Sequence, residues 1–403
     1  MSTIKDRLSS LSPERRELLK KLRSNRPGGE TSERNNKPAN DNLPIPNKKG
    51  VLDFSIFFFS ADSEKNGNDK YEYIFKVSKF ADERGFKAIW TPERHFHQFG
   101  GLYPNPSVLS AAIASVTSKC EVRAGSVVLP LHHPIRAAEE WSVVDNISNG
   151  RAGVAFASGW HPRDFVLSPM NYINRKTLMF ESIKTLQKLW KGEEVNFKSG
   201  NHDENQVRIQ PLPVQSDIPV WVSSSGSSST WEKAGEMGIN ILTALLSQDV
   251  ETLEKNIAIY KKARKRNGFG SEGGIITVML HTYIGKSIEE VQNVVKDPFI
   301  NYLRMHMELY NDHSLIKEMN VDPKEFSEED KKALANFAFE RYFHTSSLMG
   351  TIDSCKSMIN ELKSVGVNEI ACLIDFGVDE YKVIDSLELL DQLRMEYEVG
   401  DTH

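Results

Sequence analysis

Cysteine is scarce in this chain: three residues in 403, Cys120, Cys355 and Cys372, odd in number and far apart. That spacing excludes a disulfide framework and a Cys-x-x-Cys metal knuckle. Long apolar runs are missing too. The run ending at Phe57-Phe58-Phe59 falls far short of the roughly 18 residues a membrane-spanning helix needs. The chain opens on charge (Lys5, Asp6, Arg7) with no apolar signal core behind it, so a cytoplasmic, soluble protein is the expectation. A basic excess is absent: 50 Lys and Arg against 55 Asp and Glu leave a net charge of −5. A broadly phosphate-neutralising nucleic-acid surface is thereby excluded. No strand-like run enters a helix through a Gly-x-Gly-x-x-Gly turn, no His-Glu-x-x-His helix is present, and no Gly-x-x-x-x-Gly-Lys-Ser/Thr phosphate loop appears.

What is present divides in two. Residues 1–49 read as a helical nub on a flexible linker. Ser12-Pro13-Glu14 is a good helix start, and Leu11, Leu18, Leu19 and Leu22 give one short apolar stripe. Beyond Ser24 only Ala39, Leu43 and Ile45 are aliphatic as far as Gly50, too few to offset the entropy of ordering that stretch. From residue 50 to 403 strands alternate with amphipathic helices. Strand-like runs fall at 51–59, 87–90, 122–129, 152–157, 219–223, 239–243, 275–283 and 369–374. Most are continuous β-branched or aromatic runs, as strands buried on both faces require. Ile74, Val77 and Ala81, and again Ala137, Trp141 and Val144, have helical spacing. Eight strand-plus-helix units predict an α/β fold, a (β/α)8 barrel. Residues 191–218, before strand five, read as a turn-rich insertion. Residues 286–350, after strand seven, read as a helical lid over the C-terminal mouth.

Active sites of such barrels lie past the C-terminal strand ends. After strand two comes Thr91-Pro92-Glu93-Arg94-His95-Phe96-His97, a dense polar cluster read as part of the reaction pocket or as a Glu93–Arg94 tie between loops; a metal site is disfavoured, since no helix frames the histidines. After strand three, Gly125-Ser126 replaces bulky residues with small ones, suggesting close backbone approach to a planar ligand or a tight barrel bend. His132 and His133, ahead of Pro134, read as capping or packed residues. After strand four, Ala157-Ser158-Gly159-Trp160-His161 offers an anion-and-ring site or a turn with Trp160 in the core. After strand five, Ser223–Thr230 leads from a strand into a helix, where free N–H groups and the helix dipole favour a phosphate. Trp141, Trp190 and Phe57-Phe58-Phe59 read as core.

Taken together, Thr91–Phe99, Asn105-Pro106, Ala124–Arg136, Asn149–Phe165 and Gly350-Thr351 resemble the bacterial luciferase-like flavin monooxygenase family. The segments TPERHFH, FGGLYPNPS and FASGWH look like the branch associated with polyketide and nonribosomal-peptide assembly lines. The leader LSPERRELLKKL is similar to linkers that follow condensation domains. The resemblance implies FMN, with reduced FMN supplied by a separate reductase, and insertion of one oxygen atom from O2. The implied substrate is an acyl or aminoacyl chain, carried on an acyl or peptidyl carrier protein, and a homodimer is implied as well. By position, Gly125-Ser126 is implied as a non-proline cis peptide against the flavin ring. Ser158, Gly159, Trp160, Gly226, Ser227 and Thr230 are implied around its phosphate.

The departures are specific. Luciferases carry two adjacent histidines where this chain has Arg94-His95, and Arg94, always protonated, cannot act as a general base. Ala157 stands at the luciferases' reactive-cysteine position and Ser158 at their phosphate-binding arginine. The expected roles are therefore Arg94 stabilising a developing oxyanion, with His95 or His161 moving a proton. The alternatives are a deazaflavin-dependent oxidoreductase on the same fold and a non-catalytic flavin-binding partner subunit.

Overall fold

The structure, a computed structural model, describes residues 52–59, 71–246, 248–310 and 328–398. The leader expected over residues 1–49 lies outside the described residues.

The strands that close the barrel are β1 (Asp53–Phe57), β2 (Ala88–Thr91), β3 (Glu121–Val128), β4 (Ala152–Ala157), β7 (Val220–Ser223), β8 (Asn240–Ala244), β9 (Ile276–Ile284) and β11 (Glu369–Leu373). They run in the order β9-β11-β1-β2-β3-β4-β7-β8, and β8 pairs back onto β9. Every pairing in this ring is parallel. The strand interiors are apolar because both faces are covered. All nine residues of β9 are buried, one face toward the barrel axis and one toward the outer helices. Seven of these strands sit within a residue or two of the runs read from the sequence; β1 is shorter than its run, which carries on past it.

Capping residues fix where the helices begin. Asn105 accepts the Val108 N–H ahead of α2 (Pro106–Ala114), with Pro at the first helical position. His133 likewise accepts the Ile135 N–H ahead of α3 (Pro134–Ser148). The preceding helix, α1 (Glu72–Arg84), buries Ile74, Val77 and Ala81 against the barrel, as their spacing predicts. Its Asp82 accepts the backbone N–H groups of Ser118, Lys119 and Cys120, tying the loop before β3 to the helix. Burial opposes ionisation of Asp82, but those three bonds hold its carboxyl down at about 2.

The two insertions differ in kind. After α4 (Arg175–Trp190), residues 191–218 form the antiparallel hairpin β5 (Val195–Lys198) and β6 (Glu204–Val207), outside the barrel. Asp145 on α3 anchors the return, accepting the N–H groups of Val214 and Gln215. Following α5 (Ser228–Glu236), β8, α6 (Val250–Arg266) and β9, the second insertion holds α7 (Ile288–Tyr310), α8 (Glu328–Thr345) and β10 (Leu348–Gly350). The acidic and basic run from Glu328 opens α8. β10 pairs with β9 outside the ring. Phe299 of α7 stacks on Tyr342 of α8, centroids 5.0 Å apart, and both meet His281 of β9 edge-on. Tyr302 reaches Phe99 at 5.2 Å and Phe59 at 6.4 Å, so this insertion extends to the rim of the barrel mouth. The fold finishes with α9 (Ile352–Val365), β11 and α10 (Glu380–Glu398). No described helix is long and apolar enough to cross a membrane.

Candidate functional site

Where β2, β3, β4 and β7 end, the chain leaves a cavity of about 350 Å³, within the range of small-molecule sites. The structure brings Arg94, Gly125, Ser126, Ser158, Gly159, Trp160, Ser227 and Thr230 to its wall. Gly226, with φ +131, sets the turn into Ser227. His95 and His161 do not line the cavity; they stand in the layer around it, His95 bonded to Glu93 and His161 3.5 Å from Asp164.

Each wall has a local cause. The Gly125–Ser126 peptide is cis, and the β3–β4 register shifts between Gly125 and Val127. A Cβ on Gly125 would sit 2.6 Å from the Phe57 ring and 3.1 Å from Trp90, so no side chain fits beneath this backbone. Gly159 has φ +73, and a Cβ there would meet Val128 at 2.7 Å. Trp160 is not core: it is 39% exposed and faces the cavity.

Ser227 stands at the start of α5 with no side-chain cap bond, and both Ser227 and Thr230 line the cavity. The hydroxyls of Ser223 and Ser224 line the cavity, buried and with no hydrogen-bond partner among the described residues. Buried hydroxyls are usually paired, so these two await an acceptor-rich ligand. Lys176, in the first turn of α4, adds a cation to the wall, and Arg175 steadies that end of the helix by donating to the Gly159 carbonyl at 3.1 Å. An uncapped helix start, open hydroxyls and a lysine suit a phosphate; the flat, small-residue wall at Gly125-Ser126 suits a planar ring.

The polar cluster after β2 contributes Glu93 and Arg94 to the cavity wall, but its internal bonds differ from those expected. The tie expected between Glu93 and Arg94 is replaced: Glu93 accepts from His95 Nε2 at 2.8 Å, from His132 Nε2 at 2.6 Å and from the Val128 N–H at 2.6 Å. Burial alone would push Glu93 up, yet these bonds, led by His132, hold it below the usual carboxylate range. Arg94 lies over the Phe59 ring, 4.0 Å from its centroid. Burial raises Asp164 despite His161, His95 and Arg94 nearby.

Sequence reasoning missed four contributors. Lys176 carries no motif. His132 reads from the sequence as a capping or packed residue, but His133 caps the helix and His132 bonds Glu93 instead. Phe57 and Phe59 were read as core; Phe57 is buried yet also lines the cavity, as does half-buried Phe59. Their signal was position, at the C-terminal end of a barrel strand. Cys120, Cys355 and Cys372 are buried, and burial pushes each thiol up to about 12, far from thiolate chemistry. Among the described residues no group of histidines, cysteines and carboxylates is placed to hold a metal ion.

Residues 52–369 match the family described as luciferase-like monooxygenase. The chain is 25% identical over 340 residues to the oxygenase component of a flavin-dependent trigonelline monooxygenase from Acinetobacter baylyi, covering 83% of this chain and 92% of that protein. In fold it is similar to the oxygenating constituent of 3,6-diketocamphane monooxygenase from Pseudomonas putida, a type II Baeyer–Villiger enzyme in complex with FMN. There the TM-score is 0.67 at 18% identity, over 87% of this chain and 99% of that one. It is similar as well to the coenzyme F420 dependent tetrahydromethanopterin reductase of Methanopyrus kandleri, with TM-score 0.66 and 17% identity over 87% and 100% of the two chains. With the match spanning the barrel from β1 to the start of β11, the chain belongs to the luciferase-like monooxygenase family and is a flavin-dependent monooxygenase.

Proposed function

We propose that the cavity takes reduced FMN and an acyl or aminoacyl substrate, and that one oxygen atom from O2 enters the substrate by hydroxylation or Baeyer–Villiger insertion. One observation carries the cofactor reading: two buried serine hydroxyls, Ser223 and Ser224, open toward the cavity beside the start of α5. The Gly226 backbone and the hydroxyls of Ser227 and Thr230, with Ser158–Trp160 and Lys176, would hold the phosphate. The Gly125-Ser126 backbone, backed by Phe57 and Trp90, would take the ring. Bound there in reduced form, FMN supplies the electrons and activates O2.

The chain's own residues do the rest. Arg94 brings a permanent positive charge to the cavity wall, where it stabilises negative charge developing on oxygen. Its guanidinium is held by the Phe59 and Phe99 rings, at 4.0 and 5.6 Å, so it is oriented in advance. His95 and His161 flank the site as proton carriers. The α7–α8 insertion, reaching Phe59 and Phe99 through Tyr302, acts as the cover that excludes water. A reductase supplies the reduced flavin; a relative named as an oxygenase component supports that division of labour. The assembly-line likeness of TPERHFH and FASGWH supports a natural-product substrate held on a carrier protein.

Arg94→Ala is the test. It should cut turnover by about 10²–10³-fold while leaving FMN affinity within about twofold, read by product mass and by flavin fluorescence. Unchanged turnover would remove Arg94 from the chemistry. A deazaflavin reading is favoured by one observation, the fold shared with a coenzyme F420 dependent reductase. Titration with FMN and F420 separately decides between them.

A further inference from the structure

Glu93 follows β2 with its side chain wholly buried, while the two rings it holds differ in access: His95 is 12% exposed and His132 31%. Both bond the same oxygen, Oε1, through Nε2, at 2.8 and 2.6 Å. The other oxygen is taken by the Val128 amide at 2.6 Å. A carboxylate oxygen only accepts, so each ring carries its hydrogen on Nε2 and keeps Nδ1 as its second, basic nitrogen. One carboxylate oxygen therefore bonds two titratable rings, and two imidazolium ions sharing that oxygen would repel each other. We infer that Glu93 is a positioning residue that fixes the tautomers of His95 and His132 and yokes their charges. The pair carries one positive charge per carboxylate, and the more exposed His132 governs the charge on His95, the immediate neighbour of Arg94.

The surroundings agree. Burial would lower His132, but the bond and charge of Glu93, with Glu140 of α3 adding to them, raise it. Asp164 is close enough to feel the charges of His161, His95 and Arg94. Charge on His95 adds to that of Arg94, so the yoke adjusts the positive potential at the cavity wall according to the solvent pH sensed at His132. This effect on turnover rests on the proposed monooxygenase site; the titration itself does not.

The experiment is nitrogen-detected imidazole NMR on the full-length protein without flavin, in wild type, Glu93→Gln and His132→Ala. Wild type should show Nε2–H tautomers in both rings. Glu93→Gln should lower the His132 pKa by about one unit or more, through loss of the carboxylate charge. His132→Ala, at a part-exposed position that leaves the fold intact, should raise the His95 pKa, because Glu93 then serves one ring. A merely structural Glu93 predicts no such rise. Nδ1–H tautomers in wild type, or a His95 titration unmoved in His132→Ala, would overturn the yoke. The pH profile of turnover in His132→Ala should shift upward in step with His95. A shifted titration with an unshifted profile would uphold the yoke and instead remove His95 from the proposed chemistry.

Discussion

The two ends of the barrel handle buried polarity in opposite ways. Toward the N-terminal end of the strands, Arg123 is 1% exposed and bonded to Glu369 and to Glu121, each at 2.7 Å. Its guanidinium lies against both Trp90 and Trp221, 4.8 and 4.4 Å from their centroids. Glu369 is completed by the Ser55 hydroxyl at 2.6 Å and the Trp90 indole at 3.1 Å. At the C-terminal end, Ser223 and Ser224 are buried with open hydroxyls, and α5 starts without a side-chain cap. A buried charge is costly unless fully partnered, whereas an open hydroxyl costs only about 1–3 kcal/mol. The closed end therefore holds its buried charge fully partnered, while the open end sets unpartnered hydroxyls beside Glu93, Arg94 and Lys176, where a ligand can complete them.

The comparison breaks first at Glu369. Glu369→Ala leaves Arg123 buried beside Glu121 alone and should cost about 3–5 kcal/mol of stability, measured by urea unfolding. Flavin affinity of the folded fraction should stay within about twofold; a parallel collapse of affinity would mean the two ends are not independent. Thr230→Asp does the reverse. A carboxylate at the start of α5 should weaken FMN binding by more than about 100-fold, close to 2.7 kcal/mol, by repelling the phosphate. Stability should hold or rise by a few tenths of a kcal/mol, since acidic groups suit a helix start. Calorimetric melting and fluorescence titration of the same sample separate the two effects. Ser224→Ala is the smallest change: FMN affinity should fall about tenfold, with stability within about 0.5 kcal/mol of wild type. A stability loss there would show that the hydroxyl already has a partner inside the protein.

Strand count, order of chemistry along the chain and the small-residue walls were legible because each is local. A buried parallel strand must be a continuous apolar run, and Gly125-Ser126 or Gly159 interrupts such a run visibly. Cavity residues drawn from strand ends, Arg94 and Ser227 among them, could be found by the barrel rule alone. The pairing of Glu93 with His132 could not. It joins residues 39 apart through the approach of two strand ends, and no periodicity reports which ring a carboxylate will choose. Lys176 is invisible for the same reason: nothing in Arg175-Lys176-Thr177 says that α4 starts at the cavity. Phe57 and Phe59 show the limit of composition, since an aromatic at a strand end reads the same whether it meets core or cofactor.

β1 finds its outer partner only in β11, Asp53 beside Glu369 and Phe57 beside Leu373. Phe59, on the cavity wall, has its amide held by Asp375 at 2.8 Å, across 316 residues of sequence. The side of the cavity proposed for the phosphate, from Ser158 to Thr230, is therefore synthesised long before the aromatic side is secured. On the ribosome, the pocket waits for its seam, and flavin capture becomes a late step in the birth of the protein. A translation product halted ahead of Glu369 would carry an incomplete binding site and a first strand paired on one edge alone, with β2.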